Sequence, residues 1–271
     1  MELKYLTLTI ENKIAQLTIN RPEKANSMNE QAWTELKSAL LYCDETPDVR
    51  VIVFSGAGEK LFCGGIDLTM LMSVGQKTED KCEGRKREKF RKLLLDFQEI
   101  ISTFEQISKP VLSAVHGGCI GAGLDMISAT DMRYCTKDAY FCIKEIDLGM
   151  VADIGTLQRL PKIIPDGLAR ELAYTGRNLT ADEALQCGLV NRVFEDKETM
   201  LKEVSAIAAL IATKSPLSVR GTKRNIVFTR DHSVNESLEY MANWNSAFFY
   251  SNDLLAAFQA SMTRQSPTFE D

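Results

Sequence analysis

Hydrophobic and polar positions alternate from the start of the chain: Leu6, Leu8 and Ile10 against Tyr5, Thr7 and Thr9. Ile14, Leu17 and Ile19 follow the polar turn Glu11-Asn12-Lys13. A period of two broken by such a turn predicts a β-hairpin. Arg21-Pro22 ends it, and Asn26-Ser27-Met28-Asn29 offers capping side chains for a helix reaching about Leu41. The apolar runs Val51 to Phe54 and Val111 to Val115 predict buried strands. Between them, Phe90, Leu93, Leu94, Phe97, Ile100, Ile101 and Phe104 keep helical spacing, and Lys109-Pro110 closes that amphipathic helix. A glycine-rich stretch from His116 to Gly123 leads into an apolar helix ending near Ala129. From Gly155 onward the pattern is nearly all helical, interrupted by a short strand from Val190 to Phe194 and reaching Met262. Strands alternating with helices early, then helices alone, predict an α/β core with a helical C-terminal section.

Composition narrows the picture. The 271 residues suffice for one large core, and a net charge of -5 gives no reason to expect nucleic acid or an anionic membrane as partner. No uncharged run approaches the ~20 residues that span a bilayer. The seven cysteines, Cys43, Cys63, Cys82, Cys119, Cys135, Cys142 and Cys187, include no Cys-x-x-Cys pair and no zinc-ligand spacing. They read as reduced thiols, and no metal is expected. With no secretory, transit or peroxisomal signal in the sequence, the expected location is the cytoplasm.

Candidate chemistry centres on the glycine segment. Gly118, Gly121 and Gly123 give G-x-x-G-x-G, the reverse of the dinucleotide-binding order, and no Walker loop occurs. His116-Gly117-Gly118 has no G-x-S-x-G elbow to serve, so His116 reads as a packed residue at a strand end. Small residues at a helix N-terminus can instead present backbone N–H groups to a developing oxyanion. A second such loop is Cys63-Gly64-Gly65-Ile66-Asp67. The competing reading is two tight turns without a ligand.

These segments carry a resemblance. Asn20-Arg21-Pro22-Glu23-Lys24-Ala25-Asn26-Ser27-Met28, Phe62 to Leu68, His116 to Asp125 with Asp131-Met132-Arg133, and Thr180 to Ala184 with Gly188-Leu189-Val190 together resemble the enoyl-CoA hydratase/isomerase (crotonase) family. The resemblance implies a spiral of repeated β-β-α turns over 1–200 and a helical trimerisation section over 201–271, in homotrimers or homohexamers. It also implies an acyl-CoA thioester substrate and no separate cofactor, coenzyme A being part of the substrate. Gly64, Gly65, Ile66, Asp67, Leu68 and Ala122 would line the substrate site. The N–H groups of Ile66 and Ala122 would form the oxyanion hole, and Lys24 and Ala25 would meet coenzyme A. Ala122 stands where the family usually has glycine.

Three acids set the expected reaction. Hydratases place glutamates where this chain has Asp125 and Glu145, and glycine where it has Asp153. The segments around Glu145 and Asp153 resemble the dienoyl-CoA isomerase branch. That implies conversion of 3,5-dienoyl-CoA to 2,4-dienoyl-CoA in fatty acid β-oxidation. The matching hydratase glutamate assigns Glu145 to C2, with Asp153 at C6 and Asp125 tuning Glu145; the reverse polarity of Glu145 and Asp153 is the alternative. Moving two conjugated double bonds needs two separated acid/base groups, whereas hydration needs one close pair. Each acid has a plainer reading: Glu145 as a surface ion-pair residue beside Lys144 and Asp147, Asp153 and Asp67 as helix caps. The alternatives are an enoyl-CoA hydratase and an RNA-binding or assembly protein, the latter favoured only by Arg85-Lys86-Arg87.

Overall fold

The structure, a computed structural model, describes residues 2–271. Its ten strands are β1 (Leu6–Glu11), β2 (Ile14–Ile19), β3 (Val51–Gly56), β4 (Leu61–Cys63), β5 (Val111–Val115), β6 (Gly118–Ile120), β7 (Met132–Thr136), β8 (Tyr140–Cys142), β9 (Leu179–Thr180) and β10 (Arg192–Phe194). The helices of the first half are α1 (Glu30–Glu45), α2 (Leu68–Lys77), α3 (Glu83–Gln106) and α4 (Ala122–Ser128). Those of the second half are α5 (Thr156–Arg159), α6 (Asp166–Thr175), α7 (Ala181–Gln186), α8 (Lys197–Ala212), α9 (Pro216–Thr229), α10 (Val234–Phe248) and α11 (Asn252–Thr263).

The expected hairpin is β1–β2, paired antiparallel from Leu6↔Ile19 to Glu11↔Ile14. It opens a six-stranded sheet of order β1-β2-β3-β5-β7-β10, parallel from β2 onward. A smaller sheet has the order β4-β6-β8-β9, with β4, β6 and β8 parallel. Chain order alternates between the two. β3, β5 and β7 each join the large sheet, and β4, β6 and β8, which follow them, each join the small one. Helical segments then return the chain: α2 and α3, then α4, then a 3-10 turn at Lys144–Leu148 and α5. That is the expected β-β-α spiral. Because β4, β6 and β8 lie side by side and parallel, the segments leaving their C-terminal ends converge on one place.

Apolar spacing explains which faces are buried. On α3, Phe97, Ile100, Ile101 and Phe104 pack into the main core, while Phe90 nearer its start stays outside it and partly exposed. The charged run before it pairs with itself: Lys86 with Glu79, Arg85 and Lys89 with Asp80. The other face of the large sheet is covered by α8, whose Met200, Val204, Ala208 and Ala212 meet Val51, Val53, Leu112 and Ala114. Helix α8 crosses position 200, so the section free of the sheet begins at α9. No helix among the described residues is long and apolar enough to cross a membrane.

Candidate active site

The first segment leaves β4. Met28 forms a parallel bridge with Ile66, its N–H donating to the Gly65 carbonyl (2.8 Å) and its carbonyl accepting from the Asp67 N–H (3.0 Å). That pattern turns the Ile66 N–H away from Met28. Asp67 caps α2 through Thr69 N–H (3.0 Å) and pairs with the Arg21 guanidinium (3.1 Å), which lies over the Tyr5 ring. The pair holds the Asp67 carboxyl below the usual carboxylate range despite partial burial. Asp67 is therefore a staple between this loop and the Arg21-Pro22 segment as well as the cap its position suggested.

The second segment leaves β6. Gly121 takes φ +52°, a left-handed conformation that favours glycine. Ala122 is the first residue of α4, without positive φ, so alanine is accommodated there and its N–H remains a free helix-start donor. The two loops touch: a side chain at Gly65 (φ +93°) would meet the Ile120 carbonyl at 3.2 Å and the Ala122 nitrogen at 3.8 Å.

The third segment leaves β8 and carries two of the acids. Lys144 and Asp147 pair with each other at the surface, and Glu145 turns inward instead. Its Oε2 is buried without a partner, and its Oε1 lies 3.0 Å from where a Cβ on Gly121 would sit. The surface ion-pair reading of Glu145 is thus replaced by an interior one. Asp153 does not cap α5. That position is taken from across the fold by Asp125 of α4, whose Oδ1 accepts the Thr156 N–H at 2.6 Å. Asp125 is fully buried, and its Oδ2 has no partner.

Burial raises all three acids, and repulsion from neighbouring acids adds to it for Asp125 and Glu145. Loss of solvent, then the nearby Glu145, push the Asp125 carboxyl up to about 7, with Asp153 adding to the rise and the Thr156 N–H opposing it. Glu145 is raised by burial, with Asp153 adding to the shift, and Asp153 is raised by burial. Carboxylates so placed resist ionising together, which favours a proton held within the cluster. His116 is packed at the end of β5, its imidazole pulled down to about 4 by burial, as expected for a structural residue.

The expected residues fall into two openings. A groove of about 1120 Å³ is lined by Lys24, Ala25, Gly64, Ile66, Asp67 and Leu68. Gly65 joins two of those lining residues and sits beside Ala122. Asp153 instead faces a separate cavity of about 320 Å³, with Gln98, Ser102, Arg159, Lys162 and Arg230. Glu145, against Gly121, and Asp125, bonded to Thr156, line neither opening. Arg21, Gln98 and Thr156 were not anticipated as site residues. Gln98 holds the Asp153 carbonyl (2.7 Å), yet in the sequence it belongs to the polar side of an amphipathic helix and carries no signal.

Comparison with known proteins fits this geometry. The family model described as "Enoyl-CoA hydratase/isomerase" matches residues 9–271. A mouse protein named "Delta(3,5)-Delta(2,4)-dienoyl-CoA isomerase, mitochondrial" is 45% identical over 256 residues, covering 94% of this chain and 78% of its own. An Arabidopsis thaliana protein of the same name, "peroxisomal", is 44% identical over 98% of this chain and 96% of its own. Among solved structures, an enoyl-CoA hydratase from Bacillus anthracis superposes with a TM-score of 0.89 at 28% identity, covering 98% of this chain and 99% of that one.

Proposed function

We infer the chemistry from one premise: this chain belongs to the enoyl-CoA hydratase/isomerase family. It is an isomerase that converts 3,5-dienoyl-CoA to 2,4-dienoyl-CoA in fatty acid β-oxidation, an intramolecular transposition of C=C bonds. The observation that carries this is the third acid. Asp153 is within electrostatic reach of both Asp125 and Glu145 and opens to its own cavity.

The roles follow from position. Coenzyme A occupies the groove at Lys24 and Ala25, and the thioester carbonyl points at the Ile66 and Ala122 N–H groups. Such donors stabilise a developing oxyanion by about 3 kcal/mol each. Glu145, packed against Gly121 beside that hole, takes the proton from C2. Electrons flow to the thioester oxygen as a conjugated dienolate and return to form C2=C3 and C4=C5, while Asp153 gives a proton to C6. Asp125 contacts no substrate atom. It anchors α5, which follows Asp153, and the nearby Glu145 and Asp153 add to the burial that raises its own proton affinity. The catalyst resets when Glu145 releases its proton and Asp153 regains one through its solvent-facing cavity. Hydration would leave Asp153 without a task, and the self-paired Arg85-Lys86-Arg87 run offers little to RNA.

Assembly is proposed as a homotrimer or a homohexamer of stacked trimers. The two-part organisation is kept with its join moved from 200 to the end of α8. Seven free thiols suit a reducing compartment. The cytoplasm is our proposal, tested by fractionation of the native cells; recovery in mitochondria or peroxisomes, the compartments in the relatives' names, would overturn it.

The test of function is spectroscopic. Purified protein given a 3,5-dienoyl-CoA should generate the absorbance of the conjugated 2,4-dienoyl thioester, with 2-enoyl-CoA as the hydration control. Fast hydration without diene formation would reverse the assignment.

A further inference from the structure

The cavity at Asp153 holds three cations, yet none neutralises it. Arg159 lies closest along the chain. Its Nη1 packs on Gly155, two residues from Asp153, so that a Cβ there would collide with it, and Gly155 takes φ +144°. Arg159 Nη2 donates to Glu105 (2.7 Å) and to Ser102 (3.1 Å). Both members of the Arg159–Glu105 pair are only 11% exposed. Glu105 also takes Arg230, while Asp231 takes Lys162 and the far side of Arg230. Every cation on this wall is thus turned toward another acid. The remaining charged groups facing Asp153 are Asp125 from α4 and Glu145 from the 3-10 turn, both acidic.

One face of α3 organises the arrangement. Gln98, Ser102 and Glu105 stand at helical spacing i, i+4, i+7. The first holds the Asp153 carbonyl, and the other two hold the Arg159 guanidinium.

We propose that Glu105 is a positioning residue that holds the Arg159 guanidinium away from Asp153, so that Asp153 keeps the proton it delivers. Arg159 and Asp153 line the same cavity, so a guanidinium released from Glu105 has an unpaired carboxylate on its own wall to turn toward. An opposite charge within about 4–6 Å lowers a carboxylate's proton affinity by one to three pH units. Asp153 would then enter the reaction ionised, with nothing to give to C6. The catalytic consequence rests on the C6 role assigned above; the effect on Asp153 itself does not.

The experiment therefore reads Asp153 directly. Carboxyl ¹³C NMR titration of the full-length protein, with the Asp153 signal identified by its loss in Asp153→Asn, gives its midpoint. Glu105→Gln should lower that midpoint by one pH unit or more, a tenfold loss of proton affinity. Glu105→Asp should stay near wild type, and adding Arg159→Gln to Glu105→Gln should restore the higher value. Activity falls as pH rises through that midpoint, so the alkaline limb of kcat should move to lower pH in Glu105→Gln, with KM within about twofold. If Glu105→Gln does not fold, Ser102→Ala with and without Arg159→Gln makes the same comparison with a smaller shift. An unchanged midpoint, or a fall that removing Arg159 does not reverse, overturns the proposal. Asp153→Asn that still isomerises would remove the C6 role while leaving the titration to report on Glu105.

Discussion

At the scale of single residues, Asp125 is a carboxyl wholly removed from water. Its carboxyl rises from 3.8 to about 7 in the folded chain. Between those values the native state binds more protons than the unfolded one, so stability falls as pH rises through that window and levels off above it. At about 1.4 kcal/mol per unit, the change amounts to about 4 kcal/mol. Asp125→Asn should flatten this slope, measured as urea unfolding at pH 4.5 and pH 7.5; equal slopes in both proteins would contradict it. The acids themselves were legible because each sits in a segment that resembles the family. Their surroundings were not. Glu145 beside Lys144 and Asp147 reads as a surface charge until the Lys144–Asp147 pair is seen to exclude it. The Thr156 N–H that caps on Asp125 lies 31 residues away, beyond any local pattern.

At the scale of elements, three successive spiral turns each deliver one loop to the site from the end of a small-sheet strand. The longer elements were readable: β1 and β2 from alternation, β3 and β5 from apolar runs, α1 from its capping residues and α3 from helical spacing. β4, β6 and β8 have three residues each, too short for alternation to register, so the second sheet was implied by resemblance alone. Glycine placement at those turns is strict where backbone and ligand-side groups meet. At Gly121 the φ of +52° and the 3.0 Å approach of Glu145 Oε1 both oppose a side chain. Gly121→Ala should displace the Glu145 carboxyl and lower kcat about a hundredfold, as a misplacement of about 1 Å does. The loss of stability should be only about 1–2 kcal/mol, seen in thermal unfolding. A stable variant with unchanged kcat would show that the contact is irrelevant to turnover. The staple at Asp67 makes a parallel case. Asp67→Ala leaves the Arg21 guanidinium buried without its partner, and a destabilisation of about 3 kcal/mol or more is expected by the same measurement.

At the scale of the whole molecule, the C-terminal helices leave much apolar surface uncovered. Phe249, Tyr250, Leu255, Phe258 and Met262 are each more than half exposed in the single chain. A surface of that kind fits burial against further copies of the chain. Light scattering coupled to size exclusion should give the mass of three or six chains, and Phe258→Glu should shift it toward one. A monomeric wild type, or a variant of unchanged mass, would remove these helices from assembly. The helical character of this section was plain in the sequence. Its starting point was not, because α8 continues the helical pattern while belonging to the sheet.

The partition of labour between Glu145 and Asp153 is the central claim, and hydrogen exchange separates the two. With 3,5-dienoyl-CoA in D₂O, wild type should yield 2,4-dienoyl-CoA carrying deuterium at C6. Asp153→Asn should form no product, yet still exchange the C2 hydrogens of the recovered substrate, and Glu145→Gln should do neither. Exchange at C2 that survives Glu145→Gln but disappears in Asp153→Asn would contradict the assignment.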